Sequence, residues 1–235
     1  MSTAVLVPVL ARPHRVAPLV EAFTAATPEP HRLVLIVDPG DRDELAAIRD
    51  AGVDHIDTGN TGGVTSYARK VNLAWRALAG DGHDSIFLAA DDVVPHPGWL
   101  TACRALLPAA AVVGTDDGGV NPRVAAGTHS THSLVAAAYL EAHTGTIDRS
   151  GEVLHPYGHC FVDDELVETA QARGVFAFCP DAVVEHRHPF AGTADDDATY
   201  RRGRQLTAAD RRLFHTRRRL WRRGNHRIEW PPPSS

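Results

Sequence analysis

The stretch 85–92 reads Ser-Ile-Phe-Leu-Ala-Ala-Asp-Asp, an apolar run that stops at two adjacent acids. A continuous apolar run of this kind is typical of a strand that is covered on both faces of a parallel sheet. Two neighbouring carboxylates raise each other's pKa, and burying them is unfavourable unless a positive group binds there. The stretch therefore predicts a buried strand with a polar site at its carboxyl end.

Alternating strands and helices surround this stretch. Apolar β-branched runs and helical spacing of apolar residues predict, in chain order, strand 4–10, helix 12–27, strand 33–37, helix 41–51, strand 53–56 and helix 65–78. Downstream, the pattern predicts a turn at 95–99 that starts another helix, strands at 110–114, at 128–134 and at 176–178 or 182–185, and helices at 135–143 and 163–173. This alternation predicts an α/β fold with a doubly wound, mostly parallel sheet and helices on both faces.

Ligands of such sheets bind outside the carboxyl ends of the strands. Asp38 follows the second strand directly, and Asp91 and Asp92 follow the fourth, so we expect all three on one rim. Carboxylate oxygens suit Mg²⁺ or Mn²⁺, which bind through one or two carboxylates together with substrate phosphates. A helix N-cap is the alternative explanation of the acidic pair.

His186 and His188 form a His-x-His that follows an apolar strand. Residues two apart in a strand face the same side, so both imidazoles can reach one Mn²⁺-like ion beside the two acids. One metal ligand and one substrate contact is the alternative.

Three acids, Asp163, Asp164 and Glu165, open the predicted helix 163–173. Acids in a first turn are stabilised by the helix dipole, which explains the triplet fully. The same carboxylates can also supply a general base that takes a proton from a hydroxyl group. The sequence alone does not distinguish a helix-stabilising role of these acids from a catalytic one.

The charge is distributed unevenly along the chain. Residues 200–235 hold eleven Arg against Asp210 and Glu229, a net charge of +9 against −14 for residues 1–199. This segment reads as an amphipathic helix followed by a Pro-rich tail, and the alternative is a surface that binds nucleic acid or an anionic membrane.

The sequence leads us to expect neither a signal peptide nor a transmembrane helix. No apolar run is long enough to span a membrane, and no signal peptide is recognisable. The three cysteines are widely spaced and form no Cys-x-x-Cys. We therefore expect a cytoplasmic protein.

Common nucleotide-binding and nucleophile motifs do not occur in the sequence. No Gly-x-Gly-x-x-Gly follows the first strand, and neither Gly-x-x-x-x-Gly-Lys-Ser/Thr nor Gly-x-Ser-x-Gly is found. These observations argue against dinucleotide binding, P-loop chemistry and an α/β-hydrolase nucleophile.

The order of the features resembles GT-A glycosyltransferases of the family 2 type, in particular small phage and actinobacterial members. The resemblance spans roughly residues 5–189. It rests on Val-Pro-Val at 7–9, Val-Asp at 37–38, Gly-Gly-x-x-x-Tyr-Ala-Arg-Lys-x-Asn at 62–72, Phe-Leu-Ala-Ala-Asp-Asp-Val-Val-Pro-x-Pro-Gly-Trp at 87–99, and His-Cys-Phe-Val-Asp-Asp-Glu-Leu at 159–166.

The resemblance implies a role for each matching residue. It implies a nucleotide-sugar donor, with a UDP- or GDP-sugar as the first expectation, bound with Mn²⁺ or Mg²⁺. Donor contacts are implied for Val7, Pro8, Asp38, Arg69, Lys70, Asn72 and Asp91. Metal ligands are implied for Asp92, Asp91, His186 and His188, and Asp163 is implied as the catalytic base. Two positions depart from the family pattern, since Ala90 replaces the first acid of Asp-x-Asp and Val162 replaces a Glu.

The expected function is transfer of a sugar to an acceptor hydroxyl on a glycan, protein or modified nucleic acid, with inversion. We expect a GT-A domain over residues 1–199, with a donor half of about 1–100 and an acceptor half of about 101–199, and an Arg-rich helical extension over 200–235. Alternatives are a nucleotidyltransferase on a related fold, or a non-catalytic protein whose Arg-rich tail binds nucleic acid or a capsid.

Overall fold

A computed structural model describes residues 2–231 of the chain. The strands are β1 (Thr3–Pro8), β2 (His31–Val37), β3 (Asp54–Asp57), β4 (Ser85–Leu88), β5 (Val93–Pro95), β6 (Val112–Asp116), β7 (Ser133–Ala136) and β8 (Phe176–His186). The α-helices are α1 (Pro13–Ala26), α2 (Arg42–Ala51), α3 (Tyr67–Ala77), α4 (Trp99–Leu106), α5 (Pro122–Ala125), α6 (Ala137–His143), α7 (Val162–Arg173) and α8 (Ala198–Arg217). Two 3₁₀ turns, Pro189–Ala191 and Leu220–Arg222, flank α8.

One mixed sheet has the strand order β3-β2-β1-β4-β7-β6-β8-β5. The first four strands in this order are parallel. β7 then runs antiparallel to both β4 and β6, β6 is parallel to β8, and β5 closes the edge antiparallel to β8. The parallel half places the carboxyl ends of β1, β2 and β4 at one rim, where ligands of doubly wound sheets bind.

The apolar strands form the core because helices cover the sheet. Val5, Leu6 and Val7 of β1 have no exposed surface. Trp99, at the first position of α4, is fully buried and packs on Phe87 of β4 at a centroid distance of 4.4 Å. Burying each large apolar side chain contributes about 1.5–3 kcal/mol to stability. This explains why the order of apolar strands and amphipathic helices along the chain determines the fold.

The structure differs from the expected elements most clearly in four places. β8 is one strand of eleven residues rather than one of two short alternatives. β7 begins at Ser133, so the stretch 128–132, expected as strand, is loop. The short strand β5 was not expected, because its three residues give too little pattern to recognise. The helix expected at the basic end of the chain begins earlier, at Ala198.

α8 is packed into the body of the protein through Tyr200, Gly203, Asp210, Phe214 and Arg217, all of which are buried. The boundary expected between residues 199 and 200 therefore falls inside the first turn of this helix. Residues 232–235 of the Pro-rich tail lie outside the described residues. Within residues 2–231, no helix is both long and apolar enough to cross a membrane.

Candidate active site

A cavity of about 760 Å³ opens where the carboxyl ends of β1 and β4 meet the end of β8. Its walls come from the acids at 91–92, the loop 158–161, the first turn of α7 and one face of α8. The residues predicted for the site that line this cavity are Pro8, Lys70, Asp91, Asp92, Asp163, His186 and His188.

Asp92 is buried at one end of the cavity. Its Oδ2 accepts a hydrogen bond of 2.7 Å from the hydroxyl of Tyr200. Its Oδ1 is buried without a hydrogen-bond partner among the described residues, and the Nε2 of His186 lies 3.4 Å from it. Burial alone raises the pKa of a carboxyl group, but His186 and Tyr200 hold the pKa of Asp92 below its ordinary range. Asp92 is therefore a carboxylate whose Oδ1 accepts no hydrogen bond within residues 2–231 and has His186 as its nearest charge partner.

Asp91 has a different environment from its neighbour. Its Oδ1 accepts a hydrogen bond of 2.7 Å from Nη1 of Arg12, and the same guanidinium pairs with Asp197 at 2.8 Å. Burial and the adjacent charge of Asp92 raise the pKa of Asp91 to about 6. Because Arg12 already engages Asp91, Asp92 is the better candidate of the two for a metal ligand.

The position of His186 follows from the pairing of β5 with β8. Val93 is opposite His186 in this antiparallel register. His188 lines the same cavity, and its ring packs against His186 and Tyr200 at centroid distances of 5.1 and 4.9 Å. Its Nδ1 accepts a hydrogen bond from the N–H of Phe190. The structure thus brings both histidines to the acidic end of the cavity, with His186 nearest the carboxylate.

Asp163 lies in the first turn of α7 and lines the cavity. Its Oδ2 is 3.2 Å from Nε2 of His129, a residue with only 1% of its surface exposed. The other ring nitrogen, Nδ1, is 3.3 Å from Nη2 of Arg123, which can only donate. In the tautomer that fits these contacts, Nε2 carries a proton and donates it to the carboxylate. Burial raises the pKa of Asp163, but His129 together with the backbone N–H groups of Asp163 and Asp164 holds that pKa below its ordinary value.

His129, Asp163 and Asp164 place potential ligand atoms within 4.8 Å of one another. Arg123 already supplies positive charge at this cluster, because its Nη1 donates to Asp164 at 2.5 Å while its Nη2 contacts His129. We therefore assign the cluster to the orientation of Asp163 rather than to a metal.

Asp38 reaches the predicted rim, but its oxygens are engaged inside the protein. It accepts hydrogen bonds from the Thr58 hydroxyl at 2.6 Å and the Thr65 N–H at 3.0 Å. The Nζ of Lys70 lies 3.2 Å from Asp38 and donates to the carbonyl of Val9 at 2.7 Å. The buried pair of Asp38 and Lys70 thus braces the ends of β1 and β2 beside the cavity.

Three further residues that the resemblance assigned to the donor do not line the cavity. Val7 is fully buried in the sheet, and Arg69 is exposed on α3. Asn72 is buried, and its amide donates to the carbonyl of Leu154 and accepts from the N–H groups of Val153 and Leu154. In the structure, Asn72 therefore holds the loop at 153–154 against α3.

Sequence reasoning missed Arg12, Tyr200 and His129, which the structure places at the acids. No local pattern marks them, because each contacts an acid that is 34 or more positions away. His132 was also missed. It is buried beside His186, at a ring distance of 5.1 Å, and burial together with the nearby His186 lowers its pKa to about 3.

Comparison with solved structures identifies the architecture. The chain is similar to glucosyl-3-phosphoglycerate synthase from Mycobacterium tuberculosis in complex with Mn²⁺, uridine diphosphate and glucosyl-3-phosphoglycerate, at 15% identity and a TM-score of 0.60, over 92% of this chain and 80% of the synthase. It is also similar to a mannosyltransferase from Pyrobaculum calidifontis in complex with GDP-Man and Mn²⁺, at 16% identity and a TM-score of 0.64, over 94% of this chain and 64% of that enzyme. These similarities show the GT-A fold, as the sequence predicted.

The sequence itself shows the family. Residues 2–212 match the family model described as glycosyltransferase like family 2, so the chain belongs to that family and is a glycosyltransferase. No curated protein matches the chain. The family match favours a glycosyltransferase over the nucleotidyltransferase that the paired acids also allowed, and it extends into α8.

Proposed function

We propose that this enzyme transfers a sugar from a nucleoside diphosphate sugar to an acceptor hydroxyl in a reaction that depends on Mn²⁺ or Mg²⁺. The observation that carries the proposal is the Oδ1 of Asp92, which accepts no hydrogen bond within residues 2–231 and faces His186 in a cavity that Asp163 also lines. The two similar structures hold Mn²⁺ with uridine diphosphate or GDP-Man, which makes UDP- and GDP-sugars the first donors to test.

The residues at the acidic end of the cavity fit a divalent cation. Asp92 offers a carboxylate oxygen that no donor within residues 2–231 satisfies, and His186 offers an imidazole nitrogen next to it. Oxygen and imidazole ligands suit Mn²⁺, and His188 lies beside His186 as a candidate third ligand. When bound, such a cation supplies positive charge that stabilises a departing diphosphate.

Arginine side chains add to the positive charge at this end. Arg15 Nη1 lies 3.7 Å from Oδ2 of Asp92, and Arg12 Nη1 lies 3.6 Å from the same oxygen. Arg12 lines the cavity and Arg15 lies just behind Asp92, so both guanidinium groups add positive charge beside the two acids. Fixed charges of this kind act on a leaving group without reorganising during the reaction.

Asp163 is the base in this proposal. It accepts the proton of the acceptor hydroxyl while that oxygen forms its bond to the anomeric carbon and the bond from that carbon to the diphosphate oxygen breaks. The electron pair of the broken bond leaves with the nucleoside diphosphate. His129 holds one carboxylate oxygen of Asp163 in place. A single displacement from the opposite side inverts the anomeric configuration.

Thermal unfolding with UDP-, GDP-, CMP- and dTDP-sugars, each with and without Mn²⁺, tests the donor half of the proposal. A ligand that binds only the folded state raises the melting temperature, so we expect one donor class to do so and only with the cation. Absence of any cation-dependent shift across the panel contradicts the proposal.

Two neighbouring variants test the base. Asp163→Asn is expected to abolish transfer while it retains the cation-dependent thermal shift, because it removes the proton acceptor and not the donor site. Asp164→Asn is the matched control, since Asp164 is adjacent and pairs with Arg123. Equal loss of transfer in both variants rejects Asp163 as the base.

A further inference from the structure

The arginines of α8, together with the one that follows it directly, fall into two groups. One group binds acidic side chains or backbone carbonyls and consists of Arg201, Arg204, Arg217 and Arg218. The other group makes no side-chain hydrogen bond or ion pair within residues 2–231 and consists of Arg202, Arg211 and Arg212. In this second group, Arg202 and Arg211 line the active-site cavity and Arg212 does not.

α8 forms one wall of the cavity along most of its length. Tyr200 near its start contacts Asp92, so this end of the helix lies at the proposed donor site. Further along, Asp210 accepts hydrogen bonds of 2.8–2.9 Å from the backbone N–H groups of 158–160, the loop that leads into the first turn of α7. Arg211 follows directly, so it lies at the end of the wall that contacts this loop.

The loop against this wall presents another polar side chain. His159 lines the cavity and lies against Gly203, where an added Cβ would come within 2.6 Å of the imidazole ring. Glycine therefore allows a close approach of the loop to α8 at this point. Arg202, His159 and Arg211 consequently form a polar surface on one side of the cavity, which we call the α8 surface.

We propose that the α8 surface binds an acidic group, a phosphate or a carboxylate, on the acceptor, and that Arg211 is its main contact. The proposal rests on the proposed function, because it identifies the substrate class of the same cavity. A guanidinium group offers paired N–H donors that match either oxyanion, and such charge-assisted hydrogen bonds are stronger than neutral ones.

If the acceptor is an anion, the negative charge of Asp163 requires a positively charged side chain near the acceptor. Asp163 is a carboxylate, and an acidic acceptor brought to it is repelled unless positive charge lies near. Arg12 and Arg204, which also line the cavity, are both engaged by aspartates. Arg202 and Arg211 keep their guanidinium groups available, and Arg211 directly follows Asp210, which binds the loop that leads into α7. It can therefore offset the repulsion at the acceptor end.

Calorimetric titration with three small probes tests the proposal without requiring turnover. Glycerol phosphate and glycerate carry the two acidic groups, and glycerol is the neutral probe with the same carbon chain. Each is titrated into the full chain with Mn²⁺ and saturating UDP or GDP, and again without the nucleotide. We expect at least one acidic probe to bind and glycerol not to bind, and the acid that binds identifies the group recognised.

Arg211→Ala is expected to weaken binding of that acid by about tenfold, as loss of one charge-assisted hydrogen bond predicts. Arg212→Ala is the matched control, adjacent on the same helix and outside the cavity, and is expected to stay within twofold. Equal weakening in both variants, or binding of glycerol as tight as that of the acids, overturns the proposal, as does failure of both acids to bind. A separate titration of UDP or GDP with Mn²⁺ distinguishes this result from failure of the proposed function, which would instead appear as absent nucleotide binding.

Discussion

The hydroxyl of Tyr200 donates a hydrogen bond of 2.7 Å to Oδ2 of Asp92 across 108 positions of sequence. The ring of the same tyrosine lies 4.0 Å from the guanidinium carbon of Arg12, which pairs with Asp91. The first turn of α8 therefore holds one oxygen of the carboxylate proposed as a metal ligand, and leaves the other oxygen toward His186. The Arg-rich segment is in this way part of the candidate active site.

Tyr200→Phe is expected to weaken metal binding, because it removes the hydroxyl that orients Asp92 and keeps the ring beside Arg12. We expect a loss of about 1 kcal/mol in the free energy of unfolding, the usual contribution of one hydrogen bond, and a several-fold higher Mn²⁺ concentration at half-maximal thermal shift. Tyr200→Leu, which also removes the ring, is expected to cost more stability. An unchanged Mn²⁺ midpoint in Tyr200→Phe argues against an orienting role.

Asp92→Asn and Asp91→Asn are expected to lower turnover by different amounts. Asp92 has the oxygen that accepts no hydrogen bond within residues 2–231, so its replacement removes the anionic ligand and is expected to lower turnover by at least about a hundredfold, as loss of a transition-state charge contact predicts. Asp91 is bonded to Arg12, so its replacement removes one of the two aspartates that hold this arginine and leaves the carboxylate of Asp92 in place. Turnover at saturating Mn²⁺ measures the difference. A larger loss in Asp91→Asn than in Asp92→Asn reverses the assignment.

The strand pattern predicted the parallel half of the fold because local residues determine it. Runs of buried β-branched and apolar residues mark β1, β2 and β4 directly, and the position of Asp38, Asp91 and Asp92 at the strand ends follows from parallel pairing. His186 was also predicted beside the acids, although the strand that carries it pairs with β5 and β6 rather than with β4.

Local sequence did not predict the contacts that α8 makes. Arg12, Asp197 and Tyr200 meet near the acids only because the chain returns over the sheet after β8, and no periodic pattern encodes that path. The match of Asn72 to the family pattern likewise did not predict its surroundings, since a buried amide can satisfy a neighbouring loop as well as a ligand. Residue type at a matching position therefore predicts less about a site than the strand ends do.

His129→Phe is expected to move the acidic limb of the pH–rate profile to higher pH. The contact with His129 lowers the pKa of Asp163, so its removal raises that pKa. Asp163 is then protonated, and inactive as a base, up to a higher pH. Arg123 and Asp164 lie at the same cluster and remain. His129→Gln, which places an amide donor near the position of Nε2, is expected to restore the limb toward its original pH. A limb that does not move in His129→Phe rejects this role for His129.

Asp210→Asn is expected to destabilise the protein by about 1–3 kcal/mol, because one carboxylate accepts three backbone N–H groups of 158–160 and an amide replaces one oxygen with a donor. Urea denaturation measures the change in the free energy of unfolding. Asp50→Asn, at an exposed position in the last turn of α2, is the control and is expected to change stability little. Similar stability of the two variants indicates that the loop does not depend on α8.

Glu44→Gln is expected to stabilise the protein in alkaline solution and not in acid. Glu44 has no exposed surface, and burial raises its pKa from 4.5 to about 7, although the N–H of Arg12 donates to it. Below pH 4.5 both folded and unfolded chains hold the proton. As the pH rises above 4.5, Glu44 loses its proton in the unfolded chain while it keeps the proton in the folded chain. The stability that Glu44 contributes therefore falls with rising pH, and it is lost once the pH passes about 7. Glutamine cannot ionise, and at about pH 8.5 its variant is expected to unfold with a free energy higher by up to about 3 kcal/mol. Glu21→Gln, at an exposed position, serves as control. If Glu44→Gln changes the free energy of unfolding by the same amount in acid and in alkaline solution, the pKa of Glu44 is not raised.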